Sequence, residues 1–166
     1  KEDFKDEADK DIAENPFPYN YETIQDLMIM YQSQKFITLG DYTYTYSGGA
    51  HGNYGTGYYV LDLLNLKQLT LQDVLNEAGI KALPKILEAQ FRMDNNLMQT
   101  DSLKDAGLFE NKIEPNDNFF ITPNGIGFNY SPYEIGPYAM GEVGIFIPFI
   151  DLTEYLQSTI RELIKK

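Results

Sequence analysis

Residues 36–63 read FITLGDYTYTYSGGAHGNYGTGYYVLDL, and this stretch decides the fold. Tyrosines and threonines alternate along residues 42–46, and side chains that alternate in this way lie on opposite faces of a β-strand. Five glycines follow within residues 47–57 and predict a tight loop of unusual shape. Residues 58–63 are apolar and aromatic again. The stretch therefore predicts two strands, 36–46 and 58–63, joined by a glycine-rich loop.

More strands are predicted on both sides of this stretch. Residues 21–31 are rich in strand formers, and residues 68–71 continue the sheet after a turn. An Asn-Gly pair separates the apolar runs 118–122 and 126–130, which is a specific hairpin signal. Residues 143–149 are predicted to form a final apolar strand.

Four helices are predicted, over residues 1–15, 72–78 and 84–97 and after an Asp151/Glu154 capping pair near the end of the chain. Thr70 and Asp73 resemble the cap of the second helix. Gly79 is expected to break that helix, and Pro84 suits the first turn of the next one. The helix over 1–15 is either part of this domain or the end of a longer upstream element.

Length and element order together predict the fold class. A chain of 166 residues fits one domain, here residues 1–166. The order of strands and helices predicts an α+β fold, with an antiparallel sheet and helices packed on one side.

The composition excludes several classes of function. Twenty-five acidic and 13 basic residues give a net charge of −12, which repels nucleic acid and anionic lipid and attracts cationic proteins. The absence of cysteine excludes disulfides and thiolate chemistry. No apolar run is long enough to insert into a membrane. The chain begins at Lys1 without a signal peptide, so we expect a fragment of a longer precursor.

His51, the only histidine, is the main candidate for chemistry. It reads either as a general base or metal ligand, or as a side chain that fixes the glycine loop. A lone histidine has no second ligand, so we predict no metal site and no cofactor. A triad of Ser47, His51 and Asp41 or Asp62 lacks a nucleophile-elbow pattern, so no catalytic residue is expected.

Tyrosine is concentrated in the glycine-rich loop, in the strand before it and in a second loop over residues 131–141. Tyrosine offers a large contact area and a hydroxyl group at low entropy cost, so exposed tyrosines favour binding. We expect the two loops to lie close together and form one surface. The alternative is a tyrosine-lined edge of the core. The candidate binding residues are Tyr46, Gly48, Gly49, His51, Tyr54, Tyr133, Glu134 and Tyr138.

Several ordered motifs carry a family resemblance. Residues 46–53 (YSGGAHGN), 119–126 (FFITPNGI) and 133–141 (YEIGPYAMG) resemble a bacterial domain of unknown function with a GGAHG signature. That domain forms the C-terminal part of RsiV-like anti-sigma factors. Related copies occur in envelope lipoproteins and beside peptidoglycan-deacetylase domains. The resemblance covers about residues 35–150.

The resemblance implies an α+β domain outside the cytoplasm, in the periplasm or at the cell surface, anchored through a missing N-terminal segment. RsiV-like proteins sense lysozyme by binding it. The expected function is therefore a non-catalytic recognition domain of the bacterial cell envelope that binds a cationic protein such as lysozyme, or cell-wall peptidoglycan. The alternatives are an envelope polysaccharide hydrolase that uses His51 with carboxylates, and a purely structural accessory domain.

Overall fold

A computed structural model describes residues 21–164 of the chain. The strands are β1 (Glu22–Gln32), β2 (Phe36–Tyr46), β3 (Asn53–Asp62), β4 (Lys67–Gln68), β5 (Phe119–Thr122), β6 (Gly125–Tyr130) and β7 (Val143–Pro148), and the α-helices are α1 (Leu71–Val74), α2 (Glu77–Asp94) and α3 (Ser158–Ile164). The helix predicted over residues 1–15 lies outside the described residues.

Strands β1 to β4 form one antiparallel sheet in sequence order. At its far end Tyr44 on β2 lies between Ile24 on β1 and Tyr54 on β3. The prediction that β3 begins at residue 58 is wrong, because the strand already begins at Asn53. The glycines after Asn53 take part in the ladder with β2, so the connecting loop is limited to residues 47–52.

Strands β5, β6 and β7 form a second antiparallel sheet. The Asn-Gly prediction is confirmed, since a two-residue connection joins Thr122 to Gly125. The hydroxyl of Thr38 on β2 donates to the carbonyl of Ile121 on β5 over 2.7 Å, and this buried bond ties the two sheets together. The α+β class with antiparallel pairing is confirmed, although the strands form two sheets rather than one.

The predicted break between the helices after Thr70 falls in a different place. The capping box of Thr70 and Asp73 is present but begins a helix of only four residues, α1. Gly79 and Pro84 both lie inside the single helix α2, which ends at Asp94 rather than Leu97. A proline in a helix costs about 3 kcal/mol. Burial of the apolar stripe of α2 contributes about 1.5–3 kcal/mol per large side chain, so packing decides the outcome.

The closing helix is shorter than predicted. Asp151 lies in a 3-10 turn, Phe149–Leu152, and does not cap an α-helix. Leu156 instead pairs with Leu75 in an isolated antiparallel bridge. The α-helix begins only at Ser158. The apolar stripe is nevertheless confirmed as core, because its three leucines and one isoleucine are buried: Leu152, Leu156, Ile160 and Leu163.

The core lies between the second sheet and the helices, and α2 packs against β7. Leu83, Leu87 and Phe91 of α2 are almost fully buried, as are Ile145 and Ile147 of β7. None of the helices among the described residues is long and apolar enough to cross a membrane. This packing leaves the far end of the first sheet free to carry the loops described next.

Candidate functional site

The loop of residues 47–52 carries His51 between β2 and β3. Gly48 and Gly49 have φ angles of 94° and 95°, a conformation that a side chain would strain. The Tyr46 hydroxyl donates to the carbonyl of Gly49 over 2.9 Å and fastens the loop to the strand before it. The loop holds the exposed His51 outside the core.

The second predicted loop reaches this histidine. The rings of His51 and Tyr138 stack with centroids 3.9 Å apart at an angle of 22°. The Tyr138 hydroxyl donates to the carbonyl of Gly52 over 2.8 Å. The Tyr133 hydroxyl lies 3.4 Å from Nε2 of His51. The expectation that the two loops lie close together is therefore confirmed.

Tyr44 and Tyr54, which lie on strands of the first sheet, pack against the residues of this contact. Gly52 is buried, and a Cβ there would lie 2.5 Å from the ring of Tyr44, so glycine allows the ring to pack on the backbone. The ring of Tyr54 meets Tyr138 edge-on at 5.7 Å. Tyr42 lies 6.4 Å from Tyr54. We call this group the aromatic surface, and it consists of Tyr42, Tyr44, His51, Tyr54, Tyr133 and Tyr138.

The aromatic surface is partly open to solvent. Tyr133 is 54% exposed, and His51 is exposed as well. Desolvation raises the pKa of the Tyr138 phenol, and the neighbouring tyrosines raise it further. The phenol therefore stays protonated and keeps its hydrogen bond to the loop. Tyr42, Tyr44, Tyr54 and Tyr138 are only partly exposed, so the alternative of a tyrosine-lined core edge still describes these four, whereas Tyr133 and His51 face solvent.

Glu142 attaches the second loop to the first sheet. Its carboxylate accepts hydrogen bonds from the Thr56 amide at 2.6 Å, from the Thr56 hydroxyl at 3.1 Å and from Nδ2 of Asn129 at 2.7 Å. Asn118 makes a parallel link, because its side chain accepts from the Tyr58 amide and donates to the Thr56 carbonyl. Hydrogen bonds to a charged group are stronger than neutral ones, so this clamp holds the loop firmly.

The turn that presents Tyr133 is strained. Tyr133 has a φ of 71°, which is uncommon for a residue with a side chain, and its amide donates to the carbonyl of Gly136. Glu134 bonds to groups other than the histidine. Its carboxylate accepts hydrogen bonds from the Ser131 amide at 2.9 Å and from Nδ2 of Asn116 at 2.7 Å. Glu134 therefore belongs to a neighbouring part of the surface.

The candidate residues named from the sequence fall into three groups. His51, Tyr54, Tyr133 and Tyr138 meet in the aromatic surface. Tyr46, Gly48 and Gly49 shape the loop that carries His51, and Glu134 lies beside the surface. Glu142 was missed, because one glutamate among 25 acidic residues has no distinguishing pattern.

The ring nitrogens of His51 contact Gly52 and Tyr133, and not the aspartates considered for a triad. Nδ1 lies 2.9 Å from the carbonyl of Gly52, so Nδ1 carries a proton and a neutral ring offers Nε2 as acceptor to Tyr133. The two carboxylates considered for a triad are bonded elsewhere: Asp41 accepts from Gln25, and Asp62 accepts from the amides that follow it. Among residues 21–164, no group of three or more His, Asp or Glu side chains could hold a metal ion.

The comparisons with known proteins agree with this fold. Residues 72–149 match the family described as a protein of unknown function, DUF3298. Residues 1–54 match the family described as Deacetylase PdaC. No curated protein matches the chain at a significant level. The resemblance to a bacterial family of unknown function is thus supported at the level of DUF3298.

Two solved structures are similar to the chain. A DUF3298 family member from Bacteroides fragilis is 29% identical, with a TM-score of 0.86, over 98% of this chain and 66% of its own. A DUF3298 family protein from Pseudomonas aeruginosa is 20% identical, with a TM-score of 0.70, over 92% of this chain and 69% of its own. The chain therefore spans about two thirds of these relatives, and the second one shows the fold alone.

Proposed function

We propose that this chain is a non-catalytic recognition domain of the bacterial cell envelope, which binds a cationic protein such as lysozyme through the aromatic surface. The observation that carries the proposal is the exposed stack of His51 on Tyr138, with Tyr133 beside it. Rings held in place before binding lose little entropy when a partner arrives. Tyrosine is also enriched among the residues that dominate binding energy in protein interfaces.

Charge supports a cationic partner. The net charge of −12 attracts a basic protein at long range and speeds the encounter. The resemblance to RsiV-like proteins, which bind lysozyme, supports the same class of partner and a position outside the cytoplasm. The motifs of that resemblance include both loops that build the aromatic surface.

Calorimetric titration with hen egg-white lysozyme tests the proposal. We expect saturable binding that weakens as the salt concentration rises, because the partner carries the opposite charge. Tyr133→Ala and His51→Ala should each weaken binding by about tenfold, as residues at the centre of an interface do. Tyr59→Ala is the matched control. Tyr59 is 40% exposed on the opposite face of β3, so its loss should leave the affinity unchanged.

Three results would contradict the proposal. The first is the absence of heat with lysozyme at low salt. The second is turnover of peptidoglycan by the wild-type chain that His51→Ala abolishes without unfolding the domain, since this would favour the hydrolase. The third concerns stability. A melting temperature lowered by His51→Ala together with unchanged binding would favour the structural accessory domain.

Cell-wall glycan is the second candidate ligand of the same surface. The match of residues 1–54 to the Deacetylase PdaC family favours it, because a deacetylase removes acetyl groups and the sugars of cell-wall glycan carry N-acetyl groups. Stacked aromatic rings also offer flat apolar faces to sugar rings. Titration with a neutral peptidoglycan oligosaccharide separates the two ligands. Binding to the glycan should be nearly independent of salt, whereas binding to lysozyme should not be.

A further inference from the structure

A groove of about 350 Å³ lies beside the aromatic surface, where segment 109–116 runs past the turn that follows β6. We call it the glutamate groove, and it is lined by Phe109, Glu110, Lys112, Glu114, Pro115, Asn116, Tyr130, Glu134 and Ile135. It adjoins the aromatic surface through the neighbouring residues Tyr133 and Glu134. One turn therefore carries a residue of each feature.

The floor of the groove is apolar. Phe109 is 47% exposed, although a phenylalanine normally loses such exposure on folding. Pro115 and Ile135 continue the apolar lining, and the buried ring of Tyr130 closes it. An apolar floor can bind the aliphatic part of a long side chain, because burial of that part away from water is favourable.

The rim of the groove is acidic. Three glutamates and a single lysine line it, so the lining carries an excess of negative charge. Nζ of Lys112 lies 3.5 Å from Glu114 and 3.7 Å from Glu110, which shows that these two carboxylates converge on one cationic position. All three side chains are at least 60% exposed, so the internal pair is weak and an incoming cation can replace the lysine.

Parts of the rim are ordered in advance. The Tyr130 hydroxyl donates to the carbonyl of Glu114 over 2.9 Å. Glu134 is held by the amide of Ser131 and the side chain of Asn116. Burial raises the pKa of the Tyr130 phenol, and Glu134 and Glu114 raise it further, so this donor keeps its proton. The backbone at Glu114 and the carboxylate of Glu134 are therefore fixed before binding and lose little conformational freedom when a ligand arrives.

We propose that the glutamate groove receives an arginine side chain of a basic partner protein, with the stem on the apolar floor and the guanidinium among the rim carboxylates. Charge complementarity decides the occupant, because the excess of glutamate selects a cation and the floor selects one with an apolar stem. The planar guanidinium, with five donors, can bind two carboxylates at once, whereas an ammonium is a point charge. The inference rests on the proposed function, which supplies the basic partner.

NMR titration of the ¹⁵N-labelled chain with Nα-acetyl-arginine amide tests the groove directly. We expect saturable shifts at residues 109–116 and at Glu134 and Ile135, with an affinity in the millimolar range. The isosteric but neutral Nα-acetyl-citrulline amide should bind at least about threefold more weakly, because it lacks the charge. Equal shifts with the two probes, or shifts spread over the whole chain, would overturn the inference.

Variants assign the effect to the rim. Glu110→Gln and Glu114→Gln should each weaken binding of the arginine probe by about threefold. Lys112→Ala should strengthen binding of the probe, because the competing internal cation is gone. Glu154→Gln is the control, since it removes the same charge from an exposed glutamate that does not line the groove. If Glu154→Gln weakened binding of the probe to the same extent, the effect would come from the net charge of the chain and not from the groove. That result would overturn the inference.

The same variants separate the groove from the proposed function. If wild-type chain binds lysozyme but the groove gives no selective shifts with the arginine probe, the groove inference fails and the proposed function stands. If the probe fills the groove while lysozyme gives no heat, the groove stands and lysozyme recognition fails.

Discussion

At the scale of single residues, the aromatic surface depends on positions where a small change of shape would propagate to several rings. Gly52 allows the Tyr44 ring to lie on the backbone, while its carbonyl accepts from Tyr138 and contacts Nδ1 of His51. The carboxylate of Glu142 fixes the second loop through hydrogen bonds from Thr56 and Asn129. Neither residue would contact a partner, yet both determine where the contacting rings lie.

Gly52→Ala should destabilise the chain by about 1–3 kcal/mol, as overpacking does in a close-packed region. The added Cβ would lie 2.5 Å from the ring of Tyr44, so the ring must move away from the loop. Urea unfolding measures the loss. Gly57→Ala is the matched control, because its Cβ would meet its nearest atom only at 3.8 Å. Equal stability of the two variants would show that packing of the Tyr44 ring does not require glycine at position 52.

Glu142→Gln should lower the free energy of unfolding by about 1–3 kcal/mol. The carboxylate accepts three hydrogen bonds, whereas an amide would turn an N–H group toward donors on Thr56 or Asn129. The exposed Glu154→Gln is the control for the charge change and should stay within about 0.5 kcal/mol of wild type. A neutral effect at position 142 would mean that the clamp is not needed to hold the loop.

At the scale of elements, local patterns predicted strands more reliably than helices. The alternation over residues 42–46 and the Asn-Gly turn specify strands through neighbouring residues alone, and both are confirmed. Gly79 gave a misleading signal. A Cβ there would lie 2.7 Å from Cβ of Tyr155, so this glycine allows a close approach between distant segments rather than ending a helix. Sequence spacing contains no information about such a contact.

The same limit applies to the candidate site. Tyrosine and glycine enrichment in two loops that each follow a predicted strand led to the prediction that the loops would meet. It could not predict that Glu134 would turn toward Asn116, or that Glu142 would be the residue that anchors the loop. Those outcomes depend on how the second sheet packs beside the first, and Thr38 and Ile121, which tie the sheets, are 83 positions apart.

The start of α1 gives a pH-dependent prediction. A hydrogen bond from Lys67 lowers the pKa of Asp73; burial opposes the shift, and bonds from Thr70 add to it. A carboxyl group with a lowered folded-state pKa stabilises the fold above its unfolded pKa, and this contribution is lost as the pH falls through the folded pKa. Asp73→Asn should cost about 1 kcal/mol at pH 7 and less at about pH 3.

Urea unfolding at several pH values measures this difference, with Asp151→Asn as the control at an exposed aspartate. The control should lose little stability at either pH. A cost of Asp73→Asn that is the same at both pH values would show that the neutral hydrogen bonds of the cap, and not its charge, stabilise α1.

At the scale of the whole molecule, the net charge of −12 should act on the rate at which a partner associates, and much less on the rate at which it dissociates. The aromatic surface itself consists of uncharged tyrosines and one histidine, so the attraction comes from the rest of the body. Long-range attraction of this kind acts on the association rate, whereas desolvated contacts at the interface act on the dissociation rate. The two rates should therefore respond to different changes.

We expect the association rate with lysozyme to fall by at least about tenfold between roughly 20 and 500 mM salt, because the Debye length shortens from about 20 Å to a few ångströms. The dissociation rate should change by less than about threefold over the same range. Tyr133→Ala should do the reverse, since it removes contact area and no charge. Surface plasmon resonance measures both rates. An association rate independent of salt would mean that the acidic body takes no part in recognition, and that lysozyme, if bound, is selected by the rings alone.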